Sequence, residues 1–334
     1  MIPDRTAIFN KTVLVITLLL LLVACSPPQK PSPLRIGTNV WTGYEPLYLA
    51  RELGYLKPNR VRLVEFSSSQ QVMRAFRNAS IDAAGVTLDE ALLLVEQGFT
   101  PKIIFIMDLS QGGDAIVSQA NIESIEELRG KRIGVESNAL GVYVLSRALE
   151  LYGMTSDDVT MVPMSVYEHE QRFLNKEVDA LVTFDPVLKH LLSGNANMLF
   201  DSGQIPGEIM DVFIVREEYL QAHPQQLHDL VSNWYQSLAY IDGNMSSAAA
   251  FMTQRLKLTP VEVIETFNGL ILPDQARTIK MLSAVSQQDA PSVQVTSDRL
   301  ARIMKSNGLL RYKFNTDVLF LEQSKLMDIH GERH

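Results

Sequence analysis

The sequence predicts an α/β protein made of two similar lobes, with a helical C-terminal third. From Leu34 to Arg216, short apolar runs alternate with amphipathic stretches, which is typical of βα units and a mostly parallel sheet. A helix–turn–strand segment occurs twice, as NASIDAAGVTLDE at 78–90 and as NKEVDALVTFDP at 175–186. After Arg216 the strand pattern stops. Two lobes that each carry one copy explain the repeat, and a chance match of common turn residues is the alternative.

The N-terminus has the features of an export signal. Two basic residues precede an apolar run from Thr12 to Ala24, which suits a signal-peptide core and is shorter than the about 20 residues that span a bilayer. The run ends in LVAC, which resembles the bacterial lipobox, and Cys25 is the sole cysteine. We therefore expect residues 1–24 to be removed and Cys25 to be acylated; an uncleaved anchor with an incidental thiol is the alternative. The Pro-rich residues 25–33 predict an extended tether.

Composition excludes several classes of protein. The chain has 334 residues, of which 46% are hydrophobic and 20% charged, which is enough apolar material for a substantial core. Its net charge of −8 has the wrong sign for nucleic-acid binding. One cysteine also excludes an internal disulfide and a cysteine-based metal site.

The apolar runs and amphipathic stretches give the predicted elements. Strands are predicted at 34–40, 60–66, 82–87, 102–109, 114–118, 132–136, 159–164, 179–184, 196–201 and 211–216. Helices are predicted at 70–78, 141–153, 169–177, 224–241, 259–267 and 297–308, the last beginning at the capping residue Ser297.

The C-terminal helices need a surface to pack on, and the first lobe is the simplest choice. This divides the chain into one lobe of residues 34–111 and 212–334, and a second lobe of residues 112–211. The chain then crosses between lobes twice, and Gly112, Gly113 and Gly207 at the crossings are the predicted hinge.

Candidate ligand-binding residues follow from the predicted strand ends, because ligands of open α/β sheets collect at the carboxyl edge. The candidates are Trp41, Tyr44, Ser67, Ser68, Ser69, Thr87, Asp89, Asp108, Glu136, Ser137, Asn138, Asp185 and Asp211. The serines and Asn138 can instead act only as helix caps, and Asp89 and Asp185 can simply begin helices. The aromatic residues can belong to the core, although a turn with Gly and Pro favours ligand contact.

Sequence motifs of enzymes are missing. The chain has no P-loop, dinucleotide-binding fingerprint, nucleophile elbow or HExxH pair. Five of its six histidines, including His169, are predicted in or beside surface helices or in the tail, and none is predicted at a strand end. We therefore expect no catalytic residue, no metal site and no cofactor.

Five segments occur in order between Leu34 and about Pro260: RIGTNVWTGYEPLYLARELGYL, VEFSSSQQVMRAFRNASIDAAGVTLDEALLL, GGDAIVS, LRGKRIGVESNALGVYVLSRALELYGM and FDSGQIPGEIMDVFIVREEYL. This series resembles the periplasmic substrate-binding proteins of nitrate, sulfonate and taurine type ABC importers, a group that includes thiamine-precursor binders. The resemblance implies a type II periplasmic-binding-protein fold, a ligand trapped between hinged lobes, and delivery to an inner-membrane permease. We expect a monomeric lipoprotein, and Ser26 after Cys25 favours the outer membrane by the custom of such lipoproteins.

The loop at 136–141 departs from the sulfonate binders, which usually place small polar residues there, because it begins with Glu136. With the four candidate aspartates, the predicted cleft is rich in carboxylates and has no basic residue on its edge. Since burial of an unpaired carboxylate is costly, an amino-bearing or zwitterionic ligand, sulfonate/taurine-like or pyrimidine-like, is expected rather than a simple anion.

Two alternatives of other classes remain open. The first is a periplasmic sensory binding protein that signals to a membrane kinase or cyclase. The second is an enzyme like the pyrimidine-synthesising relatives of the thiamine-precursor group, which depend on a cysteine-rich motif that this chain lacks.

Overall fold

The computed structural model describes residues 32–136, 139–284 and 292–331, which form one compact unit from Leu34 onward. The predicted signal peptide, Cys25 and most of the predicted tether lie outside the described residues, as do the candidates Ser137 and Asn138. Within the described ranges no helix is both long and apolar enough to cross a membrane.

Strands alternate with helices as far as Arg216, and helices form most of the remainder. The strands are β1 (Leu34–Thr38), β2 (Val61–Glu65), β3 (Ala83–Thr87), β4 (Pro101–Ser110), β5 (Asp114–Ser118), β6 (Arg132–Glu136), β7 (Thr160–Met164), β8 (Ala180–Phe184), β9 (Asn197–Asp201), β10 (Met210–Arg216) and β11 (Leu270–Ile271). The helices are α1 (Glu45–Glu52), α2 (Ser69–Arg77), α3 (Leu88–Glu96), α4 (Ala139–Leu151), α5 (Val166–Leu174), α6 (Val187–Ser193), α7 (Glu217–Ala222), α8 (Pro224–Leu256), α9 (Pro260–Phe267), α10 (Gln275–Ser283), α11 (Val293–Ser306) and α12 (Gln323–His330). All predicted strands are confirmed, and the short β11 was missed.

The strands form two sheets, with the orders β11-β4-β10-β3-β1-β2 and β7-β6-β8-β5-β9. Among the described strands, the pairs β1–β2, β1–β3, β6–β7 and β6–β8 are parallel, while β4, β5, β9, β10 and β11 pair antiparallel. The expectation of mostly parallel sheets is therefore wrong. The chain leaves the larger sheet after β4 and returns to it with β10, so the strands at these two passages run against their neighbours.

The repeated segment corresponds to two equivalent structural units. β1, β2 and β3 have the same order and direction as β6, β7 and β8. In each unit, the helix before the last strand ends in a tight turn with a left-handed residue, Ala79 (φ 55°) in one and Lys176 (φ 58°) in the other. The repeat therefore reflects a common construction of the two lobes.

An ion pair fastens each of these turns. Arg35 at the start of β1 binds Asp82 before β3 at 2.6 Å, and Arg132 at the start of β6 binds Asp179 before β8 at 3.1 Å. Each guanidinium also donates to the carbonyl oxygen of the left-handed residue, at 3.0 Å and 3.2 Å. The same set of contacts therefore fixes the turn before β3 and the turn before β8.

Asp82→Ala is expected to lower the free energy of unfolding by about 1 kcal/mol, because it removes several hydrogen bonds from a half-buried arginine. Urea unfolding measures the change. Arg51→Ala is the control, because the ion pair of Arg51 with Glu52 is exposed and its guanidinium lies 5.2 Å from the centre of the Tyr48 ring, so a smaller loss than for Asp82→Ala is expected. An equal effect of the two substitutions would show that the Asp82 pair does not stabilise the turn.

The C-terminal helices cover the larger sheet, as expected. Trp234 of α8 stacks on Phe105 of β4 at 4.9 Å, and Met304 of α11 belongs to the apolar cluster on the other side of that sheet. Two boundaries differ from the prediction. α8 continues to Leu256 through a kink at Asn244, and α11 begins after the cap Ser292, whereas Ser297 lies inside the helix and donates to a backbone carbonyl.

Candidate functional site

A cavity lies between the two sheets, with about 380 Å³ of space free of protein atoms and partly open to solvent. Six of the candidate residues line it: Trp41, Tyr44, Ser69, Thr87, Glu136 and Asp211. Sequence reasoning did not single out the other lining residues as site residues, namely Asn39, Glu90, Asp114, Leu140, Phe184 and Ile209. Both sheets therefore contribute to the lining.

The remaining described candidates lie beside the cavity. Asp89, Asp108 and Asp185 are buried close to it, with 4%, 1% and 3% of their surface exposed. Ser68 accepts a hydrogen bond from the backbone N–H of Gln71 and so caps α2, and the exposed Ser67 accepts one from the Gln71 side chain. Ser67 and Ser68 thus have the capping contacts that the alternative interpretation described.

Trp41 connects the two walls of the cavity. It follows β1, and its ring meets the edge of Phe184, the last residue of β8, with centroids 5.7 Å apart and planes at 85°. Its Nε1–H donates to Asp108 Oδ2 at 3.1 Å. Because β1 and β8 belong to different sheets, this contact spans the cleft.

Gly43 allows the turn after β1 to lie against this pair. A Cβ atom at this position would overlap Asp108 Oδ2 and lie 2.6 Å from Trp41 Nε1. Glycine is therefore required by close packing rather than by its dihedral angles. The sequence shows that the turn contains a glycine, but it does not show that the Asp108 carboxylate packs against this glycine.

Seven buried acidic residues surround the cavity, and we call them the carboxylate cluster. They are Asp89 and Glu90 in the first turn of α3, Asp108 of β4, Asp114 of β5, Glu136 of β6, Asp185 after β8, and Asp211 of β10. Asp211 faces Asp108 on one side and Thr87 on the other in the antiparallel pairing. Residues distant in sequence are thus brought together at adjacent strand ends.

Burial raises the pKa of six of these seven groups, namely Asp89, Glu90, Asp108, Asp114, Asp185 and Asp211. Desolvation is the largest cause in each case, and it raises the pKa of Asp89 to about 8, of Asp108 and Asp185 to about 7, and of Asp114 to about 6. The pKa of Asp211 is raised well above its usual value by desolvation and by repulsion from its acidic neighbours. Part of the cluster is therefore protonated at neutral pH when no cation is near.

Several carboxylate oxygens in the described residues are buried without a hydrogen-bond partner: Asp89 Oδ2, Asp108 Oδ1, Asp185 Oδ1 and Asp211 Oδ1. Among the described lining residues none is Lys or Arg. Unpartnered buried acceptors are costly, and a ligand that supplies N–H donors and positive charge removes that cost. No group of at least three His, Cys, Asp or Glu in the described ranges has the arrangement of a metal site. The arrangement therefore suits an organic cation.

Residues 27–256 match the NMT1-like family. The chain belongs to this family. The structure also resembles the alkanesulfonate-binding protein SsuA of Xanthomonas axonopodis pv. citri bound to MOPS, with a TM-score of 0.72 and 20% identity over 85% of this chain and 96% of that chain. This likeness confirms the periplasmic-binding-protein fold.

Sequence relatives of this NMT1-like protein match over shorter regions. A Brucella abortus (strain 2308) protein named only as a binding protein is 27% identical over 123 residues, which are 36% of this chain and 39% of the relative. The taurine-binding periplasmic protein of Escherichia coli (strain K12) is 22% identical over 164 residues, 48% of this chain and 51% of the relative. The matches thus span about half or less of these relatives.

His169 corrects one expectation for this NMT1-like chain. It was predicted on a helix surface, but it is fully buried, and its Nδ1 lies 3.1 Å from Thr183 Oγ1 at the end of β8. Burial lowers the pKa of His169 to about 4, so the ring is neutral at pH 7. The helical spacing of His169 and Phe173 was the signal, because residues four apart share the face of α5 that packs on β8.

The empty protein is expected to lose stability as pH rises from 6.5 to 8. Asp89, Asp108 and Asp185 have pKa values of about 8, 7 and 7 when folded and about 4 when unfolded, so the folded state holds more protons in this window. Their stabilising effect is complete below pH 4 and is lost as pH rises through these values. His169 opposes this trend only below about pH 6.5, because its pKa is lowered.

Thermal unfolding of ligand-free protein at fixed ionic strength tests this expectation. We expect the Tm to fall by several degrees between pH 6.5 and pH 8. A constant or rising Tm would show that the cluster is already ionised, or relieved by cations, at pH 6.5.

Proposed function

We propose that this protein is the solute-binding component of an ABC importer, which closes two lobes over a small polar ligand that carries an amino group. The observation that carries this proposal is the cavity, whose lining comes from both sheets and contains acidic but no basic side chains among the described residues. An ammonium or amino-pyrimidine group would supply the donors that the buried carboxylate oxygens lack. The ligand leaves chemically unchanged.

The names of two similar proteins add zwitterionic compounds to the candidate ligands. Taurine and MOPS, which occur in the names of two similar proteins, each combine an amine with a sulfonate. Zwitterionic, taurine-like and pyrimidine-like compounds are therefore included beside simple amines. In this proposal the ligand passes to a permease in the inner membrane.

The membrane anchor and the hinge in this proposal are the ones that the sequence predicts. Cys25 carries the lipid that anchors a periplasmic monomer, with Ser26 favouring the outer membrane. The lobes close about Gly112, Gly113 and Gly207, of which Gly112 (φ 116°) and Gly207 (φ 72°) have dihedral angles that favour glycine.

A thermal-shift screen with amines, amino-sulfonates, pyrimidines and inorganic oxyanions tests the proposal. A compound with an amino group is expected to raise the Tm, because it binds only the folded state. Stabilisation by inorganic oxyanions alone, or turnover of a compound, would contradict the proposal.

We expect Trp41→Ala and Glu136→Ala each to weaken binding of the ligand found in the screen by at least about tenfold, because each removes a side chain that lines the cavity. Neither substitution is expected to unfold the protein. Calorimetric titration measures the affinity, and circular dichroism confirms folding. Tyr312→Ala is the control, since Tyr312 is 69% exposed and does not line the cavity. Unchanged affinity in both cavity variants would place the ligand elsewhere.

A further inference from the structure

We infer that the ligand is a short aliphatic diamine, an organic cation with an amino group at each end and no acidic group. This inference rests on the proposed function and narrows it. It differs from a taurine-like ligand, because a zwitterion brings an acid group that needs its own partner.

Acidic side chains stand on both walls of the cavity. Glu90 and Asp211 belong to elements of the larger sheet and its helices, whereas Asp114 and Glu136 belong to strands of the smaller sheet. An ammonium at one wall therefore leaves the other wall equally acidic. A second ammonium neutralises it, but a sulfonate or carboxylate would face like charge.

The N-terminus of α2, where a helix could hold an acid group of a ligand, is already occupied by the protein. The Glu90 carboxylate is hydrogen-bonded to the Ser69 side chain in the first turn of α2. Glu90 Oε2 also accepts the backbone N–H of Thr87 at 3.2 Å. A ligand sulfonate would have to displace or face this carboxylate.

Two basic residues near the cleft, Lys189 and Arg255, are engaged in other contacts. Lys189, which acts on Asp185, binds Glu265 at 3.2 Å. Arg255 binds the buried Glu45 at 2.6 Å and lies over the ring of Tyr48. Neither is among the residues that line the cavity.

The unpartnered oxygens supply the second observation. Asp211 is 4% exposed, lines the cavity, and has no hydrogen-bond partner on Oδ1 among the described residues. This oxygen is itself buried, so bulk water does not satisfy it. An ammonium with its N–H donors satisfies this oxygen and its charge together.

The lining also contains apolar side chains, which suit methylene groups. They are Trp41, Tyr44, Phe184, Leu140 and Ile209. Aromatic faces also attract cations, so a chain with charged ends and an apolar centre finds both acidic and apolar partners in this lining.

Isothermal titration of the intact protein with matched four-carbon compounds tests this inference. 1,4-Diaminobutane is expected to bind at least about tenfold more tightly than butylamine, and 4-aminobutanesulfonate and 4-aminobutanoate are expected to bind more weakly than butylamine. Binding of the diamine is also expected to release protons, seen as a dependence of the heat on the buffer at pH 7, because ammonium groups replace protons held by Asp89, Asp108, Asp185 and Asp211.

Other outcomes separate the two proposals. If the amino-sulfonate binds as tightly as the diamine or more tightly, the inference is wrong and the proposed function stands. Equal affinity of the protein for the diamine and for butylamine would also overturn the diamine inference. If no amine, amino-sulfonate or pyrimidine binds, both are wrong.

Asp114→Asn provides a second test, because it removes one charge from the wall of the smaller sheet with little change of shape. The diamine is expected to lose about tenfold in affinity, while butylamine loses less if its ammonium binds the other wall. Asp229→Asn is the matched control, since Asp229 is half exposed and pairs with Arg60 away from the cavity. Equal affinities of the Asp114 variant and the unaltered protein for the diamine would contradict the two-wall arrangement.

Discussion

Asp211→Asn is expected to weaken binding of an amine ligand by about 10- to 100-fold and to stabilise the empty protein at pH 8. The carboxylate is buried between Asp108 and Thr87, and its Oδ1 lacks a partner among the described residues, so its negative charge is costly until a cation arrives. Asparagine keeps the shape and removes the charge. Affinity and stability are therefore expected to change in opposite directions, as they do at functional sites that carry strain.

Two measurements test this expectation. Calorimetric titration with the amine gives the affinity, and urea unfolding at pH 5 and pH 8 gives the stability. The stabilisation is expected to be larger at pH 8 than at pH 5, because burial and acidic neighbours raise the pKa of Asp211 and the resulting cost to the folded state grows as pH rises. Equal stabilisation at both values would indicate a packing effect, and unchanged affinity would remove Asp211 from the site.

Gly43→Ala is expected to lower the free energy of unfolding by about 2–4 kcal/mol and to abolish ligand binding. The added methyl group would overlap Asp108 Oδ2 and approach Trp41 Nε1 to 2.6 Å. Both groups would have to move, and their 3.1 Å hydrogen bond would break. Because Trp41 also touches Phe184 across the cleft, the disturbance would reach the second wall.

Gly243→Ala is the matched control. Gly243 lies in α8, and a Cβ atom there meets nothing within 4 Å, so the change is expected to stabilise the helix by up to about 1 kcal/mol. Urea unfolding and titration of both variants measure the difference. Similar behaviour of the two variants would show that the turn at Gly43 can adapt.

Local patterns explain why the strands and the repeat could be predicted. Alternating and helical periodicities depend on neighbouring residues, so they located all strands except β11 and three of the helices that follow β10, namely α8, α9 and α11. The echo of Thr87-Leu88-Asp89 in Thr183-Phe184-Asp185 pointed to equivalent strand ends, and the two threonines and the two aspartates are indeed buried. The direction of the strands could not be predicted from local patterns, because it depends on where the chain crosses between sheets.

The sequence by itself determined an α/β chain with two equivalent units, a C-terminal helical part and acidic residues at strand ends. Only the tertiary structure decided which of these residues share a cavity, because Asp108 and Asp211 meet through strand pairing and Glu90, Asp114 and Phe184 through the approach of two sheets. It also decided that carboxylates remain without partners, since burial and hydrogen bonding depend on residues distant in the chain. Local periodicity does not encode such contacts, and they set the charge of the site.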